Sequence, residues 1–151
     1  MKKIIFLVLL AVVLAACGRE EVLQPEGGQW AEALGGGYLV VDADTLELEE
    51  VQLSEYDGCY EYAFIPNRDR IFALVSASRL STGEYAFVPL EAVYAGQEGV
   101  AGIRPSTCAP EYYSQGTLRY EQKGNGGQFD FECSTMSGST IKGHFAGRVK
   151  E

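Results

Sequence analysis

From residue 38 to residue 149 the chain is a succession of short segments in which apolar and polar residues alternate, separated by turn residues. This pattern constrains the fold more than any other feature. A period of two puts alternate side chains on opposite faces of a strand. Residues 38–42 read as a strand, Ala43-Asp44-Thr45 as a turn, and 46–53 as a strand with one slip at Glu49-Glu50 that indicates a bulge. Further strands are expected at 59–65 (ended by Pro66-Asn67-Arg68-Asp69), 70–79, 84–94, 113–122, 128–135 and 139–149, with a short edge strand at 100–103. Gly124-Asn125-Gly126-Gly127 is the strongest hairpin signal. About eight strands joined by short turns predict an all-β fold, an antiparallel meander closing as a small barrel or curved β-sandwich.

Composition supports strands over helices. Eighteen glycines and 17 aromatics accompany no long Ala/Glu/Lys/Leu periodic stretch. The net charge is −9, which argues against nucleic acid and against a polybasic grip on anionic lipid. A single histidine, His144, excludes His-rich metal sites and mechanisms that need two imidazoles.

The N-terminus reads as an address. Met1-Lys2-Lys3 is cationic, and the 13 residues from Ile4 to Ala16 are uncharged and apolar, too few to span a bilayer that needs about 20. That is the pattern of a secretory signal. Its end, Leu14-Ala15-Ala16-Cys17, resembles the lipobox of the bacterial lipoproteins. The resemblance implies cleavage before Cys17, a diacylglyceryl group on its thiol and an acyl chain such as palmitate on its amine. Loss of Lys2 and Lys3 leaves 10 basic residues of 12 against 21 acidic, a net charge of −11. Gly18 stands where an Asp would resemble an inner-membrane retention signal, so the resemblance implies the outer membrane, on its periplasmic side or at the cell surface. The expected organisation is a signal peptide at 1–16, a lipidated N-terminus and flexible tether at 17–28, and a single β domain at 29–151. Residues 29–34 are expected to form one or two helical turns, with Trp30 plugging one end of the core.

Cys59, Cys108 and Cys133 follow the anchor in a compartment where disulfides form. Three allow at most one internal bridge, and Cys59–Cys108 is favoured over Cys108–Cys133. No CxxC spacing supports a redox or zinc site. Cys133 shares a face with Phe129 and Phe131 and also reads as a buried apolar residue.

Motifs for chemistry are weak. Ser139-Thr140-Ile141-Lys142 matches S-x-x-K, but on a strand its ends point to opposite faces. His144 would need a hydroxyl and an orienting carboxylate such as Asp130 or Glu132. Asp42-Ala-Asp44-Thr-Leu-Glu47 spaces carboxylates as calcium loops do, but lacks the glycine and closing glutamate, and suits a turn. No catalytic residue, metal or cofactor is assigned, and an enzyme is not expected.

Glu47, Glu49, Glu50, Glu55, Asp57 and Glu61 lie on two neighbouring expected strands and their loop. If those strands pair, one edge of the domain is strongly negative and could steer a cationic protein partner. Tyr112-Tyr113, expected in a loop, is the tyrosine pair least explained by core packing and joins this docking face. The reading is a non-catalytic, monomeric envelope lipoprotein, a binding or structural module that meets the membrane through its lipid and a protein through its acidic face. The alternative is a carrier of a small apolar ligand in a lipocalin-like barrel.

Overall fold

The structure, a computed structural model, describes residues 36–66 and 71–151. The signal segment, Cys17, the tether, the helical turns expected at 29–34 and Trp30 lie outside the described residues. The strands are β1 (Gly36–Val41), β2 (Asp44–Leu48), β3 (Glu50–Tyr56), β4 (Cys59–Ile65), β5 (Phe72–Ser76), β6 (Gly83–Ala86), β7 (Val100–Arg104), β8 (Glu111–Tyr113), β9 (Gln115–Lys123), β10 (Gly126–Ser134) and β11 (Thr140–Lys150). One short helix, α1 (Leu90–Tyr94), lies between β6 and β7.

These strands form one mostly antiparallel sheet in the order β6-β9-β10-β11-β3-β4-β5-β7-β8, with β1 and β2 branching from β11. The expected barrel or curved sandwich is corrected: the sheet is open and not strongly curled, with eleven strands among the described residues rather than about eight. The reason lies in β11. Ile141–Ala146 of that strand pair with β1, which leaves only Val149 and Lys150 to meet β3, in parallel. The sheet therefore forks, and β2, β6 and β8 remain terminal strands. A single isolated bridge, Phe87↔Val100, links the far sides without forming a ladder, and closure into a barrel needs a continuous one. Nor is the order a simple meander, because the last strand reaches β1, β3 and β10.

Two wings meet at the β11–β3 junction. In the wing β6-β9-β10-β11-β1-β2 the alternation is clearest on β10. On β10, Phe129, Phe131 and Cys133 are buried while Gln128, Asp130 and Glu132 face outward. At the centre of the wing β3-β4-β5-β7-β8 the sheet is covered on both faces, so Phe72-Ala-Leu-Val-Ser76 is buried throughout, while most of β3 and one side of β8 stay exposed. Its inner face shares the main core. Phe64 meets Phe129 and Phe131 edge-on at centroid distances of 5.4 and 5.3 Å, and Phe72 stacks on Phe131 at 5.4 Å. Each such ring contributes about 2–3 kcal/mol by burial, and each ring pair about 0.5–1.5 kcal/mol more. Its outer face carries a second, small core of Cys59, Val75, Val88, Val93 and Ala101 beneath α1.

The long strand expected over 46–53 is two strands. The slip at Glu49-Glu50 is where the chain leaves the β1–β2 ribbon for β3. Residues 84–94 are not one strand either: β6 stops at Ala86, and Pro89, with φ −58°, starts α1. Residues 100–103 belong to β7, which is no edge strand but lies between β5 and β8. The Gly124-Asn125 turn forms the expected hairpin, with Lys123 opposite Gly126 and a positive φ of 57° at Gly124.

No disulfide forms among the described residues: Cys59, Cys108 and Cys133 are free thiols. The expected bridges are corrected by placement. Cys59 is sealed in the small core on the outer face of the second wing, and Cys133 is in the main core on the inner side of the first. Cys108 is exposed on the segment 105–110.

Candidate functional site

The residues expected to make one docking face are distributed. Glu47 lies on β2, opposite Tyr38 of β1, and Glu49 is exposed between β2 and β3. Glu50 is ion-paired with Lys150, which, with the amide of Gln52, holds its carboxyl below the usual range. Glu55 pairs across the hairpin with Tyr60, while Glu61 pairs with Ser54 one register position away, so Glu55 and Glu61 point to opposite faces. Tyr112 and Tyr113 are likewise split, and they lie on a strand rather than in a loop. Tyr113 points into the main core, fully buried, with its ring edge-on to Phe72 at 5.7 Å. It therefore leaves the docking face.

A smaller group is brought together. Tyr112 emerges beside α1 and, with Pro89, Leu90, Met136 and the carboxylates Glu91 and Glu111, lines a groove of about 560 Å³. Met136 is 82% exposed and Tyr112 48% exposed, so the groove presents large apolar side chains to water. Tyr94, at the end of α1, is also exposed. Its phenol is pushed up by partial burial first, then by the negative surroundings of Cys59, Glu61, Asp57 and Tyr112. Three of the expected residues, Asp57, Glu61 and Tyr112, thus converge on the end of α1. Sequence reasoning missed Leu90, Glu91 and Met136. Pro89 followed by Glu91 and Ala92 was the available sign of a helix start.

A second groove, of about 350 Å³, crosses the outer face of the first wing around His144. Register places Glu84, Arg119, Asp130, His144, Tyr38 and Glu47 in one transverse row over six strands. His144 Nδ1 and Asp130 Oδ1 are 2.5 Å apart, and the amide of Gln128 donates to the other Asp130 oxygen at 2.7 Å. The Tyr38 ring lies 5.8 Å from the imidazole. The orienting carboxylate that His144 would need is therefore present as Asp130. In the next row Lys142 pairs with Glu132 at 3.4 Å.

The S-x-x-K residues part as strand geometry requires. Lys142 joins the outer face, while Ser139 donates to Asp42 Oδ1 at 3.2 Å and lies 3.2 Å from the Tyr113 hydroxyl. The Asp42 carboxylate also accepts the Thr140 N–H at 3.0 Å, and Asp42 takes a φ of 54°, so it serves a turn. Among the described residues no cluster of three metal-ligating side chains occurs, and no helix is long and apolar enough to cross a membrane. In comparisons with known proteins, no family model, curated protein or solved structure matches the chain.

Proposed function

We propose that this chain is a lipid-anchored, non-catalytic binding module of a bacterial envelope, which docks a cationic protein segment carrying an apolar anchor into the groove between α1, β8 and Met136. The observation that carries the docking is the exposed apolar groove with acids around it. Tyr112, Met136 and Leu90 offer a surface for an aliphatic or aromatic side chain. Glu91 at the groove, with Asp57 and Glu61 near Tyr94, favours positive flanks on the partner, whereas Glu111 is already paired with Arg104 at 3.4 Å. The anchor rests on Leu14-Ala15-Ala16-Cys17. Each buried methylene of an acyl chain contributes about 0.8 kcal/mol, so two or three chains hold firmly where one does not. The carrier alternative has less support, because packed rings of Phe64, Phe72, Phe129 and Phe131 occupy the middle of the domain.

Two synthetic peptides test the docking, one with a leucine anchor flanked by lysines and one with glutamines in their place. Titrated onto ¹⁵N-labelled protein, the lysine peptide is expected to shift the amides of Tyr112, Met136 and Glu91, to bind less at high salt, and to be weakened by Met136→Ser and Glu91→Gln. An equal response to both peptides, or shifts away from this groove, overturns it. The anchor is tested separately by the mass of the native N-terminus: acyl chains on Cys17 are expected, and retention of residues 1–16 sinks that half of the reading.

A further inference from the structure

The groove around His144 is built unlike the one at Tyr112. Its walls are two polar rows that run across the strands. One contains Glu84, Arg119, Asp130, His144 and Tyr38; the other contains Thr117, Glu132 and Lys142. The residues between the rows, Leu118, Phe131 and Gly143, pair with one another across the sheet and turn inward. The strip between the two rows is therefore floored by the backbone of Leu118, Phe131 and Gly143. Same-face neighbours two residues apart along a strand stand about 7 Å from each other, which sets the width. From β6 to β1 the groove crosses five strands at about 4.8 Å spacing, about 19 Å in all.

The chemistry of the walls selects among ligands. Arg119 and Lys142 stand against Glu84, Asp130 and Glu132, so the groove is close to charge balance in a chain of net charge −9. An anion would face three carboxylates. A cation would face two fixed positive charges. An apolar molecule would strip water from all five without replacing their hydrogen bonds. A chain of hydroxyl groups meets none of these objections, because each hydroxyl both donates and accepts. It can accept from Arg119 and Lys142 and donate to Asp130, Glu132 and Glu84 through charge-assisted bonds. Tyr38 adds a half-exposed ring, 45% accessible, at one end of the groove. Its face suits the C–H side of a sugar ring, as its hydroxyl suits the polar edge. The bond from Asp130 holds the imidazole of His144 in place, so one wall is ordered before any ligand arrives.

We infer that this transverse groove is a binding site for a short, uncharged oligosaccharide, laid across β6, β9, β10, β11 and β1, with Tyr38 as the stacking platform and Arg119, Asp130, Glu132 and Lys142 as hydrogen-bonding groups. The inference does not depend on the lipid anchor or on docking at Tyr112.

The experiment is an NMR titration of the ¹⁵N-labelled chain with two soluble tetrasaccharides, one of glucose and one of N-acetylglucosamine, at concentrations into the millimolar range. At least one is expected to give saturable shifts at Thr117, Arg119, Asp130, Lys142 and His144, with none at Tyr112 or Met136. Tyr38→Ala and Asp130→Asn are each expected to weaken that binding about tenfold, the scale of one lost charged hydrogen bond or one stacked ring. Both side chains face outward, and an unchanged urea midpoint establishes that the variants fold. Silence from both sugars overturns the inference, as do shifts that spread to the Tyr112 groove or that persist undiminished in both folded variants. Saturable binding of the lysine peptide here, in place of a sugar, also overturns it.

Discussion

At the scale of single residues, one tight constraint lies where β1, β10 and β11 meet. A Cβ on Gly143 would lie 2.2 Å from the Phe131 ring and 2.8 Å from Leu39. Phe131 cannot withdraw easily, since Phe64 and Phe72 pack against it. Gly143→Ala is therefore expected to destabilise by about 1–3 kcal/mol, the usual cost of overfilling a packed core. Urea unfolding checks this, and an unchanged midpoint would show that the rings have room to move. The Tyr62 hydroxyl has a different duty. It accepts the backbone N–H of Leu80 at 2.9 Å in a buried place. Tyr62→Phe is expected to cost about 1–3 kcal/mol because the donor is left unpaired. The faster exchange of the Leu80 amide would report the cause directly.

At the scale of elements, α1 decides the shape of the proposed docking groove. The helix has only five residues and no side-chain cap bond, so propensity does not hold it. Val93, fully buried among Cys59, Val75, Val88 and Ala101, does. Val93→Ala removes two methyl groups at about 0.8 kcal/mol each and leaves a cavity, a loss of about 2 kcal/mol. Because those contacts lie outside the main core, the expected signature is local. Amides of 90–96 should lose exchange protection before those of β10 and β11. Simultaneous loss in both places would mean that the two cores unfold as one unit.

At the scale of the whole molecule, the buried acids and thiols set the response to alkali. Burial raises the phenols of Tyr62, Tyr113 and Tyr120, that of Tyr120 to about 12, and the thiol of Cys133 as well. The unfolded chain ionises such thiols near 9 and phenols near 10. Above those values the unfolded state binds fewer protons than the folded one, so stability falls as pH rises. The Tyr120 contribution is complete below pH 10 and is lost between 10 and about 12. Urea midpoints should therefore decline between about pH 8 and pH 11, and Tyr120→Phe should flatten the decline. The same burial sorts the thiols. In the native protein Cys108 is expected to react with a thiol reagent, and Cys59 and Cys133 only on unfolding. A reductant should leave the stability unchanged. A drop in stability on reduction would point to a bridge.

Much was legible in local sequence. The alternation of β9, β10 and β11, the Gly124-Asn125 turn, the duty of Asp42 in a turn and the burial of Cys133 each depend on a few neighbouring residues. The even burial of β5 follows from cover on both faces, which a neighbour-by-neighbour reading cannot show. Beyond its hairpin with β10, the partners of β11 were out of reach for the same reason. Whether its other edge meets β1 or β3 depends on residues about a hundred positions away. That choice opened the sheet. It also set Glu84, Arg119, Asp130, His144 and Tyr38 in a row, although they come from five separate strands. A period of two assigns each side chain a face; only long-range pairing decides which other side chains share that face with it.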